Sequence, residues 1–101
     1  MARAKAIEFL LTSTDGTTQS IWPRGRDAWT LNQLIEAGSK GCTPIDNPAP
    51  RWSGYVHKLR KVYGVDIQTI EEAHGGPFAG THARYVLRSN VVMAESESEA
   101  A

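Results

Sequence analysis

Four basic side chains lie within an eleven-residue stretch that contains no acidic residue. They are Arg51, Lys58, Arg60 and Lys61. Lys and Arg neutralise phosphates, and both can also donate hydrogen bonds to the edges of bases. Further along, the only charged residues from Ala73 to Ala94 are Arg84 and Arg88. The two segments together form the candidate electrostatic footprint of the chain.

The formal net charge of zero hides a segregation of charge along the 101 residues. Three of the eleven acidic groups lie in the final seven residues, ESESEAA. Residues 1–94 therefore carry 11 basic and 8 acidic side chains, a net charge of +3. The body of the chain is mildly basic, and its length accommodates one folded domain.

The basic stretch has the strongest amphipathic pattern in the sequence. At 100° per residue, its large apolar residues fall within one sector of about 120°, which we expect to face the core. These are Trp52, Tyr55, Val56, Leu59, Val62 and Tyr63. The opposite side holds Ser53, Gly54, His57, Arg60 and Lys61, with Arg51 and Lys58 at one edge. We expect a helix over 51–63 that Gly64 ends.

The elements before this helix are predicted from apolar spacing and turn residues. Residues 7–22 alternate as strands around an Asp15-Gly16 turn, which favours a hairpin, although a helix over 4–22 is the competing interpretation. A first helix follows, with Asp27 as its N-cap and Gly38 as its stop. Trp29 lies off the centre of its apolar stripe, so it packs against the hairpin or extends the core sideways.

The segments that flank the basic helix predict a tight connector and a second hairpin. Residues 39–50 hold three prolines, so no long helix can cross this segment. A short strand at 41–43 and one helical turn through Asp46 are compatible with it. Residues 65–73 and 83–89 are strand-like, and the sequence HGGPFAGTH between them is a loop.

This order of elements resembles the winged helix-turn-helix DNA-binding domains of small bacterial and mobile-element proteins. The run RWSGYVHKLRKVYGVDIQTIEEAHGGPFAGTHARYVLRS is similar to their recognition helix and wing, and the resemblance covers roughly residues 24–89. It implies an α+β fold in which the recognition helix enters the major groove and the wing reaches the adjacent backbone or minor groove. The chain departs from the pattern at 44–50, where one distorted turn stands in place of a second helix.

The resemblance and the charge pattern select one set of candidate DNA-binding residues. Ser53, His57 and Lys61 are expected to face the groove. Arg51, Lys58 and Arg60 are assigned to phosphates, and His82 and Arg84 to the wing. This hypothesis requires a continuous positive stripe from the helix to Arg84, without acidic groups on it.

We expect three segments: an N-terminal strand or hairpin extension (1–22), the winged-helix domain (23–92) and a disordered acidic tail (93–101). The function expected is that of a small transcriptional regulator or recombination accessory factor that binds double-stranded DNA. The alternative is a winged helix that binds protein, for example as an antagonist of another regulator.

Other classes of function find little support in the residues. No catalytic constellation is visible, no cofactor motif is complete, and no pair among Cys42, His57, His74 and His82 has the close spacing of a zinc site. No segment is long and apolar enough to span a membrane, and a single cysteine fits a reducing compartment, so a cytoplasmic location is expected. Phe9 and Trp22 are candidates for a homodimer interface, with burial against the first helix favoured.

Overall fold

The computed structural model describes residues 5–46, 51–77 and 79–94, which form a mixed α+β fold. Two helices and two antiparallel sheets make up the described part of the chain. In order they are β1 (Phe9–Thr12), β2 (Thr18–Ile21), α1 (Gly25–Ala37), a 3₁₀ turn (Gly38–Lys40), α2 (Trp52–Tyr63), β3 (Ile67–His74), β4 (Gly80–Leu87) and β5 (Asn90–Met93). The predicted fold class is confirmed.

The N-terminal residues form the predicted hairpin. β1 and β2 pair antiparallel, with Leu10 opposite Ser20, and the turn between them is built as the residues Asp15-Gly16 suggest. The Asp15 carboxylate accepts a hydrogen bond from the Thr17 amide at 2.9 Å, and Gly16 has a φ of 91°. The competing helix is therefore wrong for the described residues of 4–22.

A third strand, β5, completes the N-terminal sheet in the order β2-β1-β5. No pattern in the sequence predicts this strand, because four residues that follow another strand closely have little alternation of their own. Met93, placed at the start of the acidic tail, is the last residue of β5 and pairs with Phe9. The Ala94 amide donates to the Glu8 carbonyl at 3.0 Å. The predicted disorder of the remaining tail, 95–101, lies outside the described residues.

The N-terminal sheet and the helices share one hydrophobic core. Phe9, Leu11 and Ile21 belong to the same buried cluster as Leu31 of α1 and Leu59 of α2. Phe9 is completely buried, as favoured, and it offers no surface to a second copy. Trp22 differs, because 54% of it is exposed.

Helix α1 begins two residues before the predicted N-cap. Arg24 is the N-cap residue, and its extended backbone forms a β-bridge with Ala6. The Asp27 amide donates to the Arg24 carbonyl at 3.0 Å, which places Asp27 inside the first turn. The expectation of Asp27 as N-cap is wrong, since the chain leaves its pairing with Ala6 at Arg24 and turns helical at once. Gly38 ends the helix as predicted, with a φ of 58°.

The connector docks on β4 through a single short bridge. Cys42 and Tyr85 exchange two backbone hydrogen bonds, of 2.9 and 2.8 Å, so an isolated β-bridge stands where a short strand was expected at 41–43. The next turn is held by Thr43, whose hydroxyl accepts from the Asp46 amide at 2.9 Å. Gly41 has a φ of 75°, and a Cβ there would lie 2.7 Å from the Tyr85 carbonyl oxygen. Only glycine fits this approach.

Helix α2 is seated on Trp52, Val56 and Leu59, which are all buried. The assignment of Val62 to the core face is wrong, because 63% of Val62 is exposed. The buried residues lie in the half of the predicted apolar sector away from Arg51, at about 80° to 140° around the helix, whereas Val62 lies at the other edge, at about 20°, next to Lys58 and Arg51. The apolar sector was thus drawn too wide on one side.

Three aromatic rings tie this helix to its neighbours. Trp52 stacks on Tyr85 of β4 with ring centroids 5.9 Å apart, and it lies 5.8 Å from Trp29 of α1. Of the two alternatives for Trp29, the structure shows the sideways extension of the core. We call Trp29, Trp52 and Tyr85 the aromatic stack.

Strands β3 and β4 form the wing. They pair antiparallel from Ile67 opposite Leu87 to His74 opposite Gly80. Both strands reach further toward the tip than predicted, so the loop is 75–79 rather than 74–82. Phe78 within it lies outside the described residues.

Candidate nucleic-acid interface

The outward face of α2 is open to solvent. Ser53, His57 and Lys61 are exposed along it, and a Cβ built on Gly54 would meet no atom within 4 Å. In the described part of the chain, no hydrogen bond or ion pair holds the side chain of Ser53, His57 or Lys61. We call Ser53, Gly54, His57 and Lys61 the open face.

One edge of the open face is tied to α1. The Lys58 ammonium lies 3.0 Å from a carboxylate oxygen of Asp27, which is buried, while 53% of the lysine side chain is exposed. The hydrogen bond and the negative charge of Asp27 raise the pKa of Lys58. The pair links the two helices, and it offsets much of the positive charge that Lys58 would bring to a phosphate.

The other edge is tied to the wing. Arg60 donates to the Ile67 carbonyl from Nε at 3.1 Å and from Nη2, and also to the Thr69 hydroxyl at 2.7 Å. These acceptors are neutral, so the guanidinium keeps its full charge while its position is fixed. Arg60 is therefore both a link to β3 and an exposed cation.

Arg51 immediately precedes the helix in an unusual conformation. Its φ of 68° is left-handed, and among the described residues other than glycine it alone has a positive φ. Its carbonyl accepts from the amides of Gly54 and Tyr55 at 3.0 and 3.2 Å. A non-glycine residue held in this region costs roughly 1 to 2 kcal/mol, so the surrounding structure over-determines it. The exposed Arg51 side chain is thereby positioned at the start of α2.

At the wing, Arg84 is paired with an acid. Its Nε and Nη2 both donate to the Glu72 carboxylate, the latter at 3.1 Å, and its Nη1 donates to the Lys40 carbonyl at 2.9 Å. The Arg84 hydrogen bonds hold the pKa of Glu72 below its usual value, and Glu72 raises the pKa of Arg84. His82 also lies 3.0 Å from Glu72 through Nε2.

The candidate residues thus fall into two groups. Arg51, Ser53, His57 and Lys61 reach solvent without a partner among the described side chains, whereas Lys58, Arg60, His82 and Arg84 have partners within the fold. The DNA hypothesis requires a continuous positive stripe from α2 to Arg84. That stripe is interrupted at Arg84, because the Glu72 carboxylate is paired with it. The neighbouring Glu71 is exposed and accepts from the Thr81 hydroxyl on the other face of the wing.

Sequence reasoning missed one cation, Arg26 on α1. Its guanidinium carbon lies 4.9 Å from the centre of the Trp29 ring, and Trp29 contacts Trp52 at the start of α2. A cation held over an aromatic ring is positioned without losing its charge. The signal was the i, i+3 spacing of Arg26 and Trp29. It was overlooked because the candidate cations were taken only from the basic helix and the wing.

These features define a small helix-turn-helix protein with a wing. The winged helix domain family matches residues 20–97, most of the chain, and the chain belongs to this family. No match was found among curated proteins or among solved structures. In the described part of the chain, no helix is both long and apolar enough to cross a membrane.

Proposed function

We propose that this protein binds double-stranded DNA by placing the open face of α2 in the major groove. The observation that carries the proposal is the bracing of this helix on both edges around an unobstructed face. Lys58 ties one edge to Asp27, and Arg60 ties the other to Ile67. A major groove of about 12 Å admits an α-helix, and a fixed orientation lowers the cost of binding.

Each side chain of the helix has a distinct part in this proposal. Ser53, His57 and Lys61 contact base edges, and Gly54 lets the helix backbone approach closely because it carries no side chain. Arg51 binds a phosphate beside the start of the helix. The exposed Arg60 adds a second phosphate contact, and Lys58 acts mainly by holding α2 against α1.

The α1 helix contributes a further contact to the sugar-phosphate backbone of the DNA. Arg26 is exposed and held over the ring of Trp29, and Trp29 in turn contacts Trp52 at the start of α2. We assign it to a phosphate on the same side as Arg51. Two arginines flanking one end of a groove-bound helix would fix its register on the duplex.

The wing contributes less to DNA binding than the helix does. In the half of the wing next to the loop, Glu72 pairs with Arg84, so its carboxylate offsets the attraction between the guanidinium and a phosphate. Glu71 adds a second negative charge on the opposite face. His82 and Arg84 remain candidate contacts, within reach only if Glu72 releases them. Affinity therefore rests on α2 and on Arg26.

We further propose that the protein acts as a small transcriptional regulator or recombination accessory factor, a role with which this mode of binding is compatible. A protein partner is the second candidate, and the acidic wing favours it, because Glu71 and Glu72 would repel DNA but can pair with a basic protein surface. A homodimer is compatible with either role, and Trp22 is the exposed aromatic residue that a second copy would cover.

Fluorescence anisotropy with a labelled duplex of mixed sequence tests the proposal. We expect affinity to fall as salt rises from about 50 to 200 mM. We expect Lys61→Ala to weaken binding by about tenfold at every salt concentration, because the proposal places Lys61 against base edges. Lys5→Ala is the matched control, since Lys5 is an exposed lysine outside α1, α2 and the wing.

Two results would contradict DNA binding by the open face. One is the absence of any binding at the lowest salt, which would leave the protein-interaction role. The other is equal behaviour of Lys61→Ala and Lys5→Ala, which would move the DNA contact away from α2.

A further inference from the structure

The wing brings together two histidines that are eight residues apart in the sequence. In the register of β3 and β4, His74 lies opposite Gly80 and Glu72 lies opposite His82, which makes the two histidines diagonal neighbours. Their Nδ1 atoms are 2.9 Å apart, and their rings stack with centroids 5.1 Å apart. Both side chains are partly buried.

The partner of His82 determines which of its ring nitrogens carries the proton. Its Nε2 lies 3.0 Å from the Glu72 carboxylate, which also accepts hydrogen bonds from Arg84. A carboxylate only accepts hydrogen bonds, so His82 donates through Nε2–H. When Nε2 carries the only ring proton of His82, its Nδ1 presents a lone pair to His74. A carboxylate bonded to the far nitrogen of a histidine is the arrangement found behind metal-binding histidines, because it fixes the ring and strengthens the free nitrogen as a ligand.

We propose that His74 and His82 bind one divalent transition-metal ion through their Nδ1 atoms. Imidazole suits Zn²⁺, Ni²⁺ and Cu²⁺, whereas Mg²⁺ prefers oxygen ligands. Two nitrogens at about 2.0 to 2.1 Å from one ion are about 2.9 Å apart when the angle between them is 90°, which is the angle of square-planar and octahedral sites. The observed separation matches that value, so Ni²⁺ and Cu²⁺ fit after the rings turn to direct both lone pairs at the ion.

Binding requires one change in protonation within the pair. The Nδ1 proton of His74, which bridges the two rings in the absence of metal, moves to Nε2 of the same ring. His74 remains neutral, and His82 keeps its hydrogen bond to Glu72. In the described residues no set of three His, Cys, Asp or Glu side chains is arranged to hold a metal. The site therefore has two protein ligands, and water occupies the other positions.

From the sequence alone no metal is expected at these histidines, because they lack the close spacing of a zinc site. The pairing between β3 and β4 is the ground on which we depart from that expectation. An ion shared by β3 and β4 would cross-link the wing next to its loop, 75–79. The proposal does not depend on DNA binding, because neither His74 nor His82 belongs to the open face.

Isothermal titration of the full chain with NiCl₂, CuCl₂ and ZnCl₂, in the absence of DNA, tests the site. We expect one ion bound per chain, and at least a tenfold loss of affinity in His74→Gln and in His82→Gln. His57→Gln is the matched control and should bind as the wild type does, because His57 lies alone on α2. MgCl₂ should give no binding.

A second measurement keeps the test valid even if a histidine variant fails to fold. In the wild-type protein, the imidazole nitrogen signals of His74 and His82 should shift on addition of ZnCl₂, and those of His57 should not. Glu72→Gln should weaken binding by about tenfold or more, since it removes the carboxylate behind His82. No saturable binding, or a loss shared equally by His57→Gln, would overturn the proposal.

Discussion

The α2 helix and the wing both present basic residues, yet the fold treats their charges differently. On α2, Lys61 has no partner among the described side chains, and Arg60 bonds only to neutral acceptors. On the wing, Arg84 is neutralised by Glu72. Neighbours on a helix follow from a fixed spacing, whereas neighbours on a hairpin depend on register. A basic segment therefore predicts an available charge more safely on a helix than on a hairpin, except where a second helix brings an acid to it, as α1 brings Asp27 to Lys58.

The largest effect should come from removing the buried ring that packs α2 against α1 and β4. Trp52→Ala deletes the central ring of the aromatic stack, and we expect a loss of about 3 to 5 kcal/mol of stability in urea unfolding. Val62→Ala on the same helix should change stability by no more than about 0.5 kcal/mol, because Val62 is mostly exposed. Equal effects of the two substitutions would show that α2 does not rest on the aromatic stack.

Substitutions at two glycines should have opposite effects on stability, because Gly41 lies in a tight contact with β4 and Gly54 lies on the open face. Gly41→Ala should destabilise the protein by about 1 to 3 kcal/mol, because the φ is positive and a Cβ would lie 2.7 Å from the Tyr85 oxygen. Gly54→Ala should instead stabilise it, by up to about 1 kcal/mol, since alanine favours helix and nothing lies nearby. Thermal unfolding of both variants checks the contrast, and a destabilising Gly54→Ala would show that this face is covered.

Substitutions on α2 should reduce DNA affinity more than substitutions on the wing. Gly54→Glu adds a charge and bulk to the open face without disturbing the core, so we expect affinity to fall about tenfold or more, equivalent to about 1.4 kcal/mol. Arg84→Gln removes a guanidinium that Glu72 already neutralises, and it should change affinity much less. Anisotropy titrations at one salt concentration measure both, and the reverse order would make the wing the principal contact.

The smallest effect concerns the tie between α1 and α2. Asp27 raises the pKa of Lys58, so the ion pair stabilises the fold at neutral pH and loses that contribution as pH rises through the pKa of the folded state. Lys58→Met should therefore lower the melting temperature at neutral pH, and its difference from wild type should shrink above about pH 10.5. A difference that does not change with pH would show that the lysine acts through its aliphatic chain alone.

Several features could be predicted because they depend on residues close in sequence. The basic amphipathic helix, the Asp15-Gly16 turn, the stops at Gly38 and Gly64 and the wing all follow from local spacing. The errors were also local. Val62 was assigned to a sector drawn too wide, and Asp27 was taken for an N-cap although the chain turns helical two residues earlier.

The features that were missed depend on pairing between distant segments. Strand β5 exists because β1 offers it an edge, and its four residues carry little pattern alone. The contact of Arg26 with Trp29 was readable from spacing, but its place beside α2 follows only from the packing of Trp29 on Trp52. Such contacts cannot be predicted from local sequence, since they join elements that lie far apart along the chain.

The sequence by itself determined a winged helix whose second described helix turns a basic face outward, because periodicity specifies which residues share a helical face. Only the tertiary structure decided which cations stay available. Packing buried Asp27 beside Lys58, and the register of the wing placed Glu72 against Arg84 and His74 against His82. The physical reason is that a charge acts over a few ångströms in space, whatever the distance along the chain.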